Sequence, residues 1–329
     1  MRFGPVPLAQ AAGCILAHSE LVAGGKVRKG QVLGAAELDL LRAAGLAQVV
    51  VARLEPGDVG EDPAATRLGR AVAGPGLILT PAHTGRVNLK AVGPGIVRLD
   101  AAAVLALNRV DPSVTLATLA PFARVSAGTL VGTVKIISYA VAGDRLEAAM
   151  AVAAGAVSVV PVCMKTAGLV LSEAAPGVGG KLTAKGREVM GRRLRALGMR
   201  LEEVRVVAHE EAAIAQALAA VGGEIVLLLT GSATSDLYDT GPQALRAAGG
   251  QVARFGLPVD PGNLLFYGRL GARPVIGLPG CARSPALNGA DWVLERMVCG
   301  LDVTGEDVAG MAVGGLLKES AMRGQPREV

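Results

Sequence analysis

The sequence predicts an α/β protein, a three-layer, doubly wound, mostly parallel sheet preceded by a mixed, β-rich N-terminal region. Three observations carry that expectation. After Lys165, apolar strand-type runs alternate strictly with helix-type segments. The run 224–229, EIVLLL, is apolar after its first residue, as a central strand covered on both faces must be. And although 51% of residues are hydrophobic, only 2% are aromatic, so the core must be built from Ala, Val and Leu, side chains suited to packing helices on a sheet.

The elements follow in order. Residues 35–44 (AAELDLLRAA) place apolar side chains at helical spacing, and Gly45 stands where a C′ glycine would end that helix. Residues 48–54 read as a strand; 55–64 are an acidic turn, with Pro63 in the first turn of a helix running to about Val72. From Gly74 to Val160, β-type runs (LILT, RVNLKAV, GIVRLD, TLVGTVKIISYAV) are punctuated by Gly and Pro. Between them Asp100 is placed to cap a helix over AAAVLALNRV, and 142–154 is a candidate crossover helix. Then come a strand at 168–171, a glycine-rich loop and a helix at 186–197. Strand 203–208 and helix 210–221 precede the central strand at 224–229. Loop 230–240, helix 241–248, strand 251–255, strand 273–278 and helix 284–299 complete the unit. The expected domains are 1–165, mixed and β-rich; 166–300, α/β; and 301–329, an extension whose polar end, ESAMRGQPREV, reads as a linker or disordered tail.

Composition limits the function classes. The formal charge of +5 suits an anionic small ligand or a weakly basic surface. Lys and Arg are scattered, and four Phe, three Tyr and one Trp give little to stack on bases, so nucleic-acid binding is poorly supported. The densest basic run, Arg192, Arg193 and Arg195, reads mainly as a solvated helix face. Cys14, Cys163, Cys281 and Cys299 form no CxxC or zinc-type pair. The first ten residues lack signal-peptide character, and no stretch of about 20 apolar residues is free of Gly, Pro or charge. A cytoplasmic protein without a membrane segment is expected.

Ligands of open α/β sheets bind beyond the carboxyl ends of the strands, at the switch point of the strand order. Three strand-end loops here are unusual, the third being the weaker glycine-rich stretch Ser172–Lys181. The first follows 224–229: Thr230, Gly231, Ser232, Ala233, Thr234 and Ser235 offer small side chains, hydroxyls and backbone N–H groups beside a helix start, a favourable place for an anion. Asp236 and Asp239 add carboxylates able to bind Mg2+ or accept from a heterocycle; Asp239 reads equally well as the cap of helix 241–248. The second is Pro279, Gly280, Cys281, Ala282, Arg283 and Ser284: Gly280 opens the backbone, Arg283 offers a fork for phosphate, and Ser284 is a candidate cap with Asn288 one turn further on. An ordinary strand–helix turn explains this pattern as well. Cys281 reads better as a small buried thiol than as a nucleophile. The glycine-rich stretch Ser172–Lys181 is neither a Walker A nor a dinucleotide fingerprint, though Lys181 has the reach for a phosphate. His209, before Glu210 and Glu211, fits a helix start better than a catalytic base.

In this order the loops resemble the molybdopterin-binding domain shared by MogA-, MoeA- and CinA-type proteins. Tyr238-Asp239-Thr240-Gly241-Pro242-Gln243-Ala244 is similar to the end of that family's GG-rich loop, and Asn263–Gly268 followed by Pro274–Gly280 is similar to the stretch entering its Leu-Pro-Gly-Asn-Pro loop. Residues 28–51 resemble the MoeA segment that precedes this domain, here separated from it by about 115 residues. The chain also resembles the N-terminal part of bacterial proteins in which a molybdopterin-binding region precedes a MobA-like nucleotidyltransferase; the polar stop at 319–329 fits a boundary before such a partner and a truncated chain. Several positions depart from the family. Ser172-Glu173-Ala174-Ala175 stands where MoeA has Thr-Gly-Asp-Glu, Ser232 replaces the second Gly of the pair, and Cys281 replaces the Asn. The resemblance implies molybdopterin as ligand or substrate. Its MoeA-like version implies molybdate insertion into adenylated molybdopterin with Mg2+ present and AMP released; its MogA-like version implies adenylation by ATP. Asp236 and Asp239 would then be the catalytic and metal-binding residues, with 230–235, Pro279, Gly280, Arg283 and Ser284 binding the ligand. The alternative is a non-catalytic module serving a nucleotidyltransferase. Related proteins are dimers or trimers, so a homo-oligomer is expected.

Overall fold

A computed structural model describes residues 1–173 and 180–317. The chain divides into two compact units, 1–93 with 97–160, and 94–96 with 161 onward.

The first unit holds two hydrophobic clusters. In one, antiparallel strands Arg2–Pro7, Gln48–Arg53 and Ile15–Leu16 pack with helix Ala35–Ala43 around buried Leu8, Leu16, Leu33, Leu41 and Val51. In the other, a four-stranded antiparallel sheet ordered Val114–Thr118, Leu130–Ile136, Arg86–Ala91, Leu77–Leu79 packs with helices Glu61–Val72, Ala101–Val110 and Gly143–Val152. Asp100 caps the second of these helices through the Ala103 N–H, 2.9 Å away, as expected from sequence.

The second unit is the doubly wound sheet. Its elements are β1 (Thr166–Glu173), α1 (Gly180–Ala196), β2 (Arg200–Ala208), α2 (Glu211–Ala220), β3 (Ile225–Leu229), α3 (Thr240–Ala247), β4 (Gln251–Phe255), β5 (Phe266–Leu270), β6 (Arg273–Leu278), α4 (Gly289–Val298) and α5 (Gly305–Gly310). The strand order is β2-β1-β3-β6-β5-β4. β2, β1, β3 and β6 pair in parallel, and only β5 runs against the rest. Every residue of β1 and β3 is buried, which is why these runs are almost continuously apolar. Val170, Val226 and Leu228 pack against α2 and α3 on one face. Leu171 and Leu229 lie beside Gly186 of α1 on the other.

Several elements differ from the sequence expectation. β5 is not signalled, because its short run FYGRL is interrupted by Gly268, where a Cβ would meet the Gln251 carbonyl oxygen at 1.9 Å. Helix α1 begins six residues earlier than 186. The last large helix starts at Gly289, five residues after Ser284, because residues 280–283 form a separate 3-10 turn and Asn288 supplies the cap. Residues 301–317 include α5, capped by Thr304, and bury Val308, Met311 and Leu317. The tail expected from 319, like Ala174–Gly179 of the glycine-rich loop, lies outside the described residues.

Candidate functional site

From β1 the chain winds outward to β2; from β3 it winds the opposite way, to β4. The carboxyl ends of β1 and β3 therefore lie at the switch point of the strand order, where open α/β sheets form a ligand crevice. The loop after β3 forms one wall. Thr230 is buried and its Oγ1 donates to the Ser232 carbonyl at 2.6 Å, bending the chain at once away from the strand. Gly231, Ser232, Ala233 and Ser235 are exposed, while Thr234 is buried. Asp239 closes this loop. Its Oδ2 accepts the Ser235 N–H at 2.8 Å and its Oδ1 the Thr240 N–H at 2.6 Å, where it caps α3. The Ser235 N–H, helped by Thr240, holds the Asp239 carboxyl below the ordinary carboxylate range against the opposing effect of burial. Asp236 is exposed, its Oδ1 accepting the Tyr238 N–H at 2.8 Å. Both aspartates thus shape the loop whatever else they do.

The opposite wall is the turn after β6. Pro279 is buried and Gly280 exposed, and the 3-10 turn Gly280–Arg283 swings Arg283 back across the crevice. Its Nη2 donates to the Thr230 carbonyl at 2.8 Å, so the two sequence-predicted loops are brought together directly. Its Nε is buried and has no hydrogen-bond partner among the described residues. Burial pulls the guanidinium down from its ordinary value, as expected for a cation short of a counter-charge. Ser284 is exposed and does not cap α4. The cap is Asn288, whose Oδ1 accepts the Ala290 N–H at 3.0 Å while Asp291 returns an oxygen to the Asn288 N–H at 2.9 Å. Cys281 is exposed rather than buried, because the turn projects it out of the strand; its sulfur accepts from the Asn288 side-chain amide at 3.1 Å.

Two residues matter here that the sequence did not single out as site residues. Arg193, read as part of a solvated helix face, is nearly buried: it pairs with Asp291 at 2.5 Å and donates to the carbonyls of Ala282, Ser284 and Ala286 at 2.7, 2.8 and 3.0 Å. One guanidinium from α1 therefore pins the whole 282–286 turn. No local signal marks it, since its partners lie about 90 residues downstream. The second is His209. It stands at the carboxyl end of β2, and its Nδ1 lies 2.9 Å from the Ser172 Oγ. The same Ser172 oxygen accepts the Gly231 N–H at 3.0 Å. The strand-end reasoning that marked residue 230 applies equally to 209. Of the glycine-rich stretch, Lys181 is exposed on α1, and Glu173 accepts a hydrogen bond from the Thr183 hydroxyl.

Among the described residues no three His, Cys, Asp or Glu side chains gather closely enough to hold a metal ion. No helix among them is long and apolar enough to cross a membrane.

Comparison with known proteins follows these two units. Residues 172–297 match a family described as "Probable molybdopterin binding domain". Residues 5–53 match one described as "Domain of unknown function (DUF8806)". The chain matches no curated protein. Among solved structures it is similar to a molybdopterin biosynthesis MoeA protein from Pyrococcus horikosii, with 12% identity over 91% of this chain and 75% of that one, at a TM-score of 0.32.

Proposed function

We propose that this chain binds molybdopterin by its phosphate during synthesis of the molybdenum cofactor, a reading supported by the match of residues 172–297 to the family described as a probable molybdopterin binding domain. The observation that carries this reading is Arg283. A guanidinium held by one nitrogen on the Thr230 carbonyl, with its buried Nε unsatisfied, is prepared for an anion entering the crevice. The exposed backbone and hydroxyl groups of Gly231, Ser232 and Ser235 stand ready to share that anion, and Gly280 leaves room for its approach. The pterin ring lies beyond them, and the chain presents it to a nucleotidyltransferase, fused or separate. Binding and orientation are the work of this site. Its polar loops are tied in place before ligand arrives, so little ordering cost falls on binding.

The second reading is MoeA-like insertion of molybdate into adenylated molybdopterin, with Mg2+ present and AMP released. The observation in its favour is the Asp236 Oδ2, which has no hydrogen bond among the described residues. Mg2+ is commonly held by one or two carboxylates together with ligand phosphates. Against it, Asp239 has both oxygens occupied by backbone amides.

One experiment separates these readings. The chain is incubated with molybdopterin, ATP and Mg2+, and in parallel with adenylated molybdopterin, molybdate and Mg2+; pterin retention is followed in both, pyrophosphate release in the first and AMP release in the second. Retention with neither product is the expected result. AMP release supports insertion, pyrophosphate release supports adenylation, and failure to retain pterin overturns both readings.

A further inference from the structure

We infer that His209 is a ligand-contacting hydrogen-bond donor of this crevice, that it acts in its neutral form, and that Ser172 is the positioning residue that sets it; the inference rests on the pterin-phosphate reading above. β2, β1 and β3 are neighbours in the sheet, and their carboxyl ends carry His209, Ser172 and Gly231 side by side. The Ser172 hydroxyl joins all three. It is buried, accepts the Gly231 N–H at 3.0 Å, and lies 2.9 Å from the His209 Nδ1.

The proton count then decides the tautomer. A serine oxygen has one hydrogen to give and two lone pairs. With one lone pair engaged by Gly231, Ser172 still has its own hydrogen to place, and among the described residues the acceptor within reach is Nδ1. If Nδ1 instead carried a proton, it would donate to the second Ser172 lone pair, and the buried Ser172 hydrogen would have no acceptor among the described residues, an arrangement native interiors avoid. Nδ1 is therefore the bare nitrogen and the ring's hydrogen sits on Nε2. Among the described residues Nε2 has no hydrogen-bond partner. His209 is half-buried, so this donor stands at the edge of the crevice with its direction fixed from behind. It suits an oxygen acceptor. On the present reading of the site that acceptor is a phosphate oxygen also facing Arg283 and the 231–235 backbone, which the same pterin lacks once its phosphate is removed.

The test uses the full chain, a pterin phosphate and the same pterin with its phosphate removed. His209→Phe is expected to weaken the phosphorylated ligand about tenfold or more, the range of a hydrogen bond to a charged group, and to leave the weaker binding of the dephosphorylated ligand unchanged. His209→Gln, which can place an amide N–H near Nε2, should recover part of the loss. Ser172→Ala should cost several-fold and Ser172→Thr should restore it, which loss of packing alone would not do. Parent-like affinity in His209→Phe overturns the inference while leaving the pterin reading intact; no pterin binding by the parent chain overturns both. The tautomer is read independently of any variant's folding. The chain has three histidines, so their ring-nitrogen NMR signals are separable, and a His209 protonated on Nδ1 at neutral pH overturns the assignment.

Discussion

Asp239 gives both carboxylate oxygens to backbone N–H groups, one across its own loop and one at the start of α3. Its pKa is lowered in the fold, so it contributes stability that is fully present above its unfolded value near 4 and is lost as pH falls through the lower, folded value. Asp239→Ala should cost about 1 kcal/mol at neutral pH, as lost caps do. The difference in urea midpoint between variant and parent should shrink as the pH is taken well below 4; a difference constant with pH would mean that the carboxylate charge plays no part. Arg283 has the opposite profile, with little to do for stability and much for binding. Arg283→Met removes the guanidinium from the Thr230 carbonyl and from the crevice. A fall in pterin-phosphate affinity of about ten- to a hundredfold is expected, read by titration, with the melting temperature close to that of the parent chain.

At the scale of elements, the site depends on how α1 and the two strand-end turns are fastened. The Arg193 and Asp291 side chains are 10% and 8% exposed, and removal of one partner strands the other in the interior. Arg193→Met should therefore destabilise by about 3 kcal/mol or more, and it should also release the 282–286 turn; chemical unfolding measures the first effect, and amide exchange at Arg283 and Ser284 measures the second. The sheet has an equally specific joint at Gly277, where a Cβ would lie 1.8 Å from the Phe266 ring. Gly277→Ala should cost about 1–3 kcal/mol for overpacking, relieved when Phe266→Leu is added. These joints explain what could be read from sequence and what could not. β1 and β3 were legible because burial on both faces writes itself as an apolar run, and Asp100 because a cap lies beside its helix. Arg193 was not, because the charge pattern around it is that of an ordinary exposed helix and the acceptors come from another part of the chain. β5 and the true start of α4 were hidden for a related reason: the first is held by pairing to strands on either side of it, and the second by a capping box at Asn288 in a stretch where Ser284 looked equally suitable.

Across the whole molecule, the four cysteines report on the crevice without altering it. Cys14 and Cys299 are buried, and Cys163 and Cys281 are exposed. Burial pushes the Cys299 thiol up to about 12, so it carries almost no thiolate at neutral pH and reacts only when the unit opens. Brief treatment of the native chain with a thiol alkylator should therefore label two positions, Cys163 and Cys281, with Cys14 and Cys299 appearing only after denaturation; peptide mass mapping identifies them. The two exposed thiols differ in place. Cys281 lies within the turn after β6, two residues before Arg283, at the carboxyl ends of the strands. Cys163 lies just before β1, at the opposite end of the sheet, where its N–H and its thiol both donate to the Val298 carbonyl, at 2.9 and 3.2 Å. A pterin phosphate seated on Arg283 and the 230–235 loop should slow labelling of Cys281 and leave Cys163 at its unliganded rate. Equal protection of both would indicate a general tightening of the unit, and protection of Cys163 alone would place the ligand at the wrong end of the sheet. The pair thus serves as an internal comparison that locates the ligand independently of any substitution in the crevice.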